Sequence, residues 1–290
     1  MKIQFCAAVA IFYMAIMAMQ VYAMDDTRHY SVGDLEIMAI HDADTTMEAS
    51  LLPELAKYPQ FAAVFEHGPA PAVSQTFFFN NGDHKVLIDA GWGTEAKIKG
   101  HTTEILRKSG IKPEEITDIL LTHMDHDHIG GLLENGNPVY PNATLWIAKP
   151  EYDAWINRTI TGRPASSIDL ASKVAQAYKV KNFNYGDEIL PGIIPVNAAG
   201  HTPGHTAYDI KSGNDKMTVA GDIMHISQVQ LAHPELSTVY DIDPAMAAAA
   251  RERILQKAAE EKSLFGGMHF PMISDVRKVP DNGYVMKQPR

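Results

Sequence analysis

The sequence predicts an α/β protein built as an αββα four-layer sandwich, two β-sheets packed face to face with helices outside. Three observations point there. Short runs rich in apolar and β-branched residues come in two batches along the chain, and each batch is followed by segments of helical character. No Pro/Gly-rich linker separates the batches, so residues 24–290 read as one domain. Neither common glycine-rich phosphate loop is present, which argues against a nucleotide-binding sheet.

The elements follow in order. Residues 35–41 read as a first strand. Residues 75–80 and 85–89 make a β-hairpin, with Asn81-Gly82 supplying the positive φ angles of its turn. Residues 95–109 have the spacing of an amphipathic helix, stopped by Gly110 with Pro113 beyond. Strands are expected at 117–122 and 144–148, and Pro150 opens a short helix through Trp155. Residues 158–166 are polar, with glycine and proline, and read as a mobile loop over a site. Residues 168–180 look helical; 193–197, 207–211 and 216–220 look like strands, the last two joined by a Ser-Gly-Asn-Asp turn. Asp243-Pro244 caps a long helix to about Lys262, with proline at its first position. A short strand at 263–265 then precedes Gly266-Gly267 and Met268-His269.

The chain has 290 residues, 46% hydrophobic and 21% charged, with a formal charge of −10. That balance suits a globular protein with a substantial core. The acidic charge and the lack of any Lys/Arg cluster argue against a nucleic-acid partner. Residues 1–23 have the layout of a secretory signal peptide. Lys2 is the only charge before Asp25, residues 5–19 are almost wholly apolar, and Val21-Tyr22-Ala23 places small residues at −3 and −1 of a cleavage point. An uncleaved membrane anchor is the other reading. The mature chain is expected in the periplasm or outside the cell, with no stable membrane association. Its charge, without Lys2, is −11. The single cysteine, Cys6, lies inside this segment, so the mature protein has no disulfide, thiolate ligand or cysteine nucleophile.

Residues 122–131 read Thr-His-Met-Asp-His-Asp-His-Ile-Gly-Gly, placing three of the thirteen histidines and two aspartates within six positions. A predicted strand leads in and a glycine pair follows. A loop at the C-terminal end of a strand is where open α/β sheets place chemistry. So dense a group of imidazoles and carboxylates reads as a metal site. Three more segments repeat the pattern of a candidate ligand at a strand end: Ala199-Gly200-His201-Thr202-Pro203-Gly204-His205, Gly221-Asp222, and His269.

Together these motifs resemble the metallo-β-lactamase superfamily, across essentially the whole mature chain. Segments 32–43, 140–155, 221–230, 241–255 and 266–271 resemble its methyl parathion hydrolase-like and lactonase-like branch more closely. The resemblance implies a fold of two mixed sheets and a pair of divalent ions, zinc in the first instance. His123, Asp125 and His201 would hold one ion, Asp127, His128 and His269 the other, and Asp222 would bridge them. A bridging hydroxide would attack an ester-like carbonyl or phosphoryl centre, with Asp127 orienting it.

Two departures stand out. The family pattern is His-x-His-x-Asp-His, and Asp125 replaces its second histidine. The extra negative charge also suits iron(II) or manganese, and His126 is the alternative occupant of that corner. Related lactonases carry a substrate-contacting tyrosine near the position of His225. This histidine is a candidate proton donor to a leaving oxygen, or else a core residue. His205 is expected to buttress the loop, and Asp42 to stand behind the site. His29, His67, His84, His101 and His233 are expected at the surface. Phe77, Phe78, Trp92 and Trp155 read as core or pocket lining. The expected function is an exported metal-dependent hydrolase of small esters or lactones. Phosphotriester hydrolysis, β-lactam hydrolysis and non-catalytic metal binding are its rivals. The expected partners are a small-molecule substrate and a second copy in a homodimer.

Overall fold

In the computed structural model, residues 25–280 and 283–286 are described; the expected export segment, 1–23, lies outside them. Strands Thr27–Val32 (β1), Leu35–Met47 (β2), Ala70–Asn81 (β3), His84–Ile88 (β4) and Asp118–Leu120 (β5) begin the first sheet. Leu133–Glu134 (β6) and Asn137–Pro138 (β7) form a small separate pair, and Thr144–Ala148 (β8) and Lys179–Phe183 (β9) complete the sheet in the order β1-β2-β3-β4-β5-β8-β9. Its first four strands run antiparallel and β4, β5, β8 and β9 are mutually parallel, so the sheet is mixed. Ile193–Asn197 (β10), Thr206–Ser212 (β11), Asp215–Val219 (β12), Leu264–Gly266 (β13), Ser274–Lys278 (β14) and Tyr284–Met286 (β15) form the second sheet in chain order. Only β12 and β13 are parallel there.

The period of two along each strand decides the layering. Ile37, Ala39, Phe77, Phe79, Val86 and Ile88 face the second sheet and meet Tyr208, Ile210, Met217 and Val219. Their sequence neighbours Met38, Ile40, Phe78 and Leu87 face the other way. They pack on helices Thr102–Lys108 (α1), Lys149–Ile156 (α3) and Ala165–Ala177 (α4) through Ile105, Leu106, Ala154, Trp155, Ala171 and Val174. Between α1 and α3 in the chain lies the single turn His126–Ile129 (α2). The outer face of the second sheet packs Ala207, Ala220, Phe265 and Val276 against Ile254, Leu255 and Ala258. Those three lie on Pro244–Glu261 (α6), which follows the short helix Ser227–Gln230 (α5). The Asp243 carboxylate caps α6 by accepting from the Met246 amide at 2.9 Å. Helix, sheet, sheet, helix is the order of layers.

The structure differs from the expected elements in several places. Residues 27–32 add β1, and β2 runs on to Met47 past a register shift between His41 and Ala43. The helix expected over 95–109 begins only at Thr102. The buried Asp42 carboxylate collects the amides of Trp92, His101 and Thr102, each at 2.9 Å, and fixes the helix start there. A β-carbon at Gly100 would lie 2.7 Å from the Gly93 amide, so the preceding turn has no room for another residue type. The helix expected over 168–180 ends at Ala177, and the chain continues as β9 along β8. Strands β14 and β15 extend the second sheet beyond the last expected strand. No helix among the described residues is long and apolar enough to cross a membrane.

Candidate metal centre

The loops after β5, β10, β12 and β13 converge. Asp125 sits at the N-cap of α2, but its carboxylate makes no capping bond and turns inward. His123, Asp125 and His201 form one set: Asp125 Oδ2 is 3.2 Å from both His123 Nε2 and His201 Nε2. Asp127, His128, His269 and Asp222 form a second. His128 Nε2 lies 3.7 Å from Asp127 Oδ2 and 3.3 Å from Asp222 Oδ1, and His269 Nε2 lies 3.3 and 2.9 Å from Asp127 and Asp222 Oδ2. Asp222 Oδ2 is also 3.8 Å from both imidazoles of the first set, so this one carboxylate belongs to both. Bonds of about 2.1 Å to a tetrahedral ion imply ligand separations of about 3.4 Å. Both sets match that spacing.

Each histidine is held by its far nitrogen. His128 Nδ1 is 2.6 Å from Asp89, His201 Nδ1 is 3.1 Å from Asp241, His269 Nδ1 donates to the Val73 carbonyl at 3.0 Å, and His123 Nδ1 is 3.1 Å from the Thr122 hydroxyl. Such contacts fix the tautomer and aim Nε2 at the centre. His123 Nε2, His128 Nε2 and Asp222 Oδ1 are buried there with no hydrogen-bond partner among the described residues. Unpaired buried acceptors are costly, and a cation among them would satisfy all three. Imidazole and carboxylate suit zinc, iron(II) or manganese, so these residues fit a pair of divalent ions.

Asp89 has φ +56 at the end of β4, a strained position that an aspartate tolerates, and its carboxylate also takes the Thr122 amide at 2.8 Å and hydroxyl at 2.6 Å. Gly221 has φ +56, and a β-carbon there would run into His205 Nε2. That close approach lets His205 accept from the Asp222 amide at 2.9 Å, while its Nδ1 lies 3.0 Å from the Ala198 carbonyl. His205 is therefore a buttress of Asp222. The fully buried Glu151 accepts from the Met124 amide at 3.1 Å, the Gly204 amide at 2.9 Å and the Trp155 indole at 2.6 Å.

Arg163 was no part of the expected site. It stands in the 158–166 loop and grips Asp125 with both arms of its fork, Nε to Oδ1 at 2.6 Å and Nη2 to Oδ2 at 2.7 Å. Burial pushes the Asp125 carboxyl up, but His123, His201 and Arg163 more than reverse this and hold it well below the usual range. Asp127 is brought down to about 2, burial again being outweighed, here by His128 and His269. Both are carboxylates at neutral pH. The extra charge that Asp125 brings is cancelled on the spot. Counting Arg163, the three carboxylates of the cluster carry the net charge of two.

His225 Nε2 is 3.4 Å from Asp222 Oδ2, and its ring stacks on His269 with centroids 5.0 Å apart. Its Nδ1 has no partner among the described residues, and burial pulls its pKa down to about 4. An open cleft of about 660 Å³ reaches the cluster, walled by Met47, Trp92, Ile98 and Tyr240 among others. His126 does not enter either set; its ring packs 5.8 Å from Trp92, and Asp125 holds the corner. Asp42 serves the start of α1 and does not back a cluster histidine. Phe77, Phe78 and Trp155 are core, leaving Trp92 as pocket lining. His29, His67 and His101 are exposed. His84 and His233 are half-buried, His84 beside Asp118 at 2.7 Å and His233 against Tyr58.

Two His/Asp sets sharing an aspartate, at one end of an αββα sandwich, define a metal-dependent hydrolase. The metallo-beta-lactamase superfamily model matches residues 70–265, and the chain belongs to that family. It is similar to an N-acyl homoserine lactonase of Bacillus cereus, 26% identical over 185 residues covering 60% of this chain and 69% of that one. An N-acyl homoserine lactonase of Bacillus thuringiensis is 22% identical over 230 residues, 76% of this chain and 85% of its own length. Among solved structures, AidC, a dizinc quorum-quenching lactonase, superposes with a TM-score of 0.82 at 25% identity, over 92% of this chain and 99% of that one. The hydrolase AbOPH of the same superfamily gives 0.79 at 28% identity, with the same coverage. Three of these four are lactonases, which is the lactonase-like side of the expected resemblance.

Proposed function

We propose that the chain is an exported two-metal hydrolase that opens the ester bond of small neutral lactones, N-acyl homoserine lactones in the first instance. The observation that carries this is Asp222, grouped with Asp127, His128 and His269 and with its Oδ2 3.8 Å from both His123 and His201, at the floor of an open cleft. The lactonase relatives supply the substrate class. Two divalent ions held there supply Lewis acidity and a water acidified toward neutral pH.

The remaining chemistry falls to side chains. His123, Asp125 and His201 would hold one ion and Asp127, His128 and His269 the other, with Asp222 within reach of both. Asp127, ionised throughout the working range, accepts a hydrogen bond from the attacking water and sets its direction. His225, neutral above about pH 4, is placed to donate its N–H to the leaving oxygen. Met47, Trp92 and Ile98 give the acyl chain an apolar wall.

A screen of the metal-loaded protein against acyl homoserine lactones, aryl esters, phosphotriesters and a chromogenic cephalosporin tests the reading. Lactones should lead in kcat/KM by roughly a hundredfold. Turnover of phosphotriesters or the cephalosporin with lactones untouched would replace it. Export has its own test: N-terminal sequencing of protein from a periplasmic extract should begin near Met24, and an intact Met1 in the cytosolic fraction would refute it.

A further inference from the structure

Asp127 and Asp222 contact only histidines, with no arginine or lysine within 4.0 Å among the described residues. Asp125 alone is gripped by a guanidinium. We propose that Arg163 makes the His123/Asp125/His201 set the weaker, exchangeable member of the pair, filled after the Asp127/His128/His269 set. The inference rests on the two-ion reading above.

The geometry allows binding and taxes it. Each carboxylate oxygen has two lone pairs. The fork uses one on each oxygen, leaving Oδ2 a second that faces His123 and His201, both at 3.2 Å. An ion can therefore still be held. The same fork sets a positive charge beside it, since Arg163 Nη2 lies 3.4 Å from His201 Nε2. Solvent screens this repulsion little, because the Arg163 and Asp125 side chains are only 9% and 16% exposed. Nor can the charge swing aside freely: Nη1 donates to the Tyr240 carbonyl at 3.0 Å, so leaving would break a second contact. With the fork in place the first set acts as a neutral trio. The second keeps the full charge of Asp127.

The test titrates zinc into metal-free protein against a chromophoric chelator, with cobalt absorption following each site. The native protein should fill in two steps separated by roughly tenfold or more. Arg163→Met should tighten the second step by roughly tenfold or more and leave the first alone. Arg163→Lys keeps the charge without the fork, and should retain the separation. If both variants weaken the second step, Arg163 merely positions Asp125 and the proposal is overturned. An unchanged second step in Arg163→Met overturns it too. Asp125→Asn provides an independent check should Arg163→Met fail to fold: it leaves the guanidinium without its counter-charge and should abolish the second step only. Two tight steps in that variant would overturn the proposal. Native protein that takes up fewer than two equivalents refutes the two-ion reading, and this inference with it.

Discussion

The two sheets supply the site in different ways. The first delivers four of its seven residues, His123, Asp125, Asp127 and His128, from one loop after β5. The second delivers His201, Asp222 and His269 singly, from the ends of β10, β12 and β13. A burst on one loop is positioned by local geometry, since α2 and its N-cap fix the spacing of Asp125, Asp127 and His128. Residues contributed singly are positioned by sheet register and by whatever stands behind them. His201 shows how much stands behind: its Nδ1 meets Asp241, and Asp241 meets the buried Arg251, which also donates to the carbonyls of Ile223, Pro234 and Leu236.

The substitution expected to have the largest effect attacks the residue common to both halves. Asp222→Ala should release both ions and lower lactone turnover by on the order of a thousandfold. Metal analysis that finds one ion still bound would assign Asp222 to one half only. Asp127→Asn comes next, with kcat down about a hundredfold, because the variant cannot hold the attacking water as a carboxylate does; unchanged kcat with the second ion bound would remove Asp127 from that role. Asp125→His is milder and more diagnostic. The sequence alone suggests that this change removes a surplus negative charge and favours zinc. The structure argues the other way, because the histidine leaves Arg163 without a counter-charge. Asp125→His should lose about 2 kcal/mol of stability, discounted for partial exposure, and most of its second equivalent of metal. Adding Arg163→Met should restore both, as read by thermal melts and metal content. Asp125→His gaining zinc without that second change would show that the guanidinium is a bystander.

The smallest effect is expected at His225. His225→Gln should lower kcat by about tenfold or less, and a larger loss would raise this histidine to a principal role. In metal-free protein it has a further signature. The unfolded chain takes up the His225 proton near pH 6.5, whereas the native state resists until about pH 4. Stability is therefore lost as pH falls through that window. The Gln variant should lose less melting temperature between pH 7 and pH 5 than the native chain, and equal losses would contradict the burial argument.

The same contrast explains what could be read from the sequence. His123, Asp127 and His128 announce themselves by density, and His201, Asp222 and His269 by their glycine-flanked strand ends. The two batches of apolar, β-branched runs, each followed by helical segments with no linker between them, reveal the sandwich. Arg163 was hidden because nothing in a Gly-Arg-Pro loop marks which of its side chains will turn back across 38 positions to Asp125. Asp89 was legible only as the end of a strand, and its strained φ emerges from the two amide and hydroxyl bonds it must accept from Thr122. The helix expected from residue 95 failed because periodicity in 95–101 competes with a carboxylate 50 to 60 positions earlier, and the carboxylate wins. The helix expected over 168–180 overruns into Lys179 and Val180 because Lys179–Phe183 is an edge strand whose exposed residues show no strict alternation.

Glu151 carries a consequence for how the molecule comes to be. One of its oxygens is bonded to the loop of the first sheet at Met124, the other to the loop of the second at Gly204. A nascent chain that has formed only its first sheet holds four of the seven candidate ligands and a glutamate with one oxygen lacking its Gly204 partner. Burying that glutamate and completing the site are then a single long-range event, slow in the way that contacts distant in sequence are slow. Metal uptake during refolding should follow the docking of the two sheets rather than precede it, and ions bound only by the docked form hold the finished molecule against reopening.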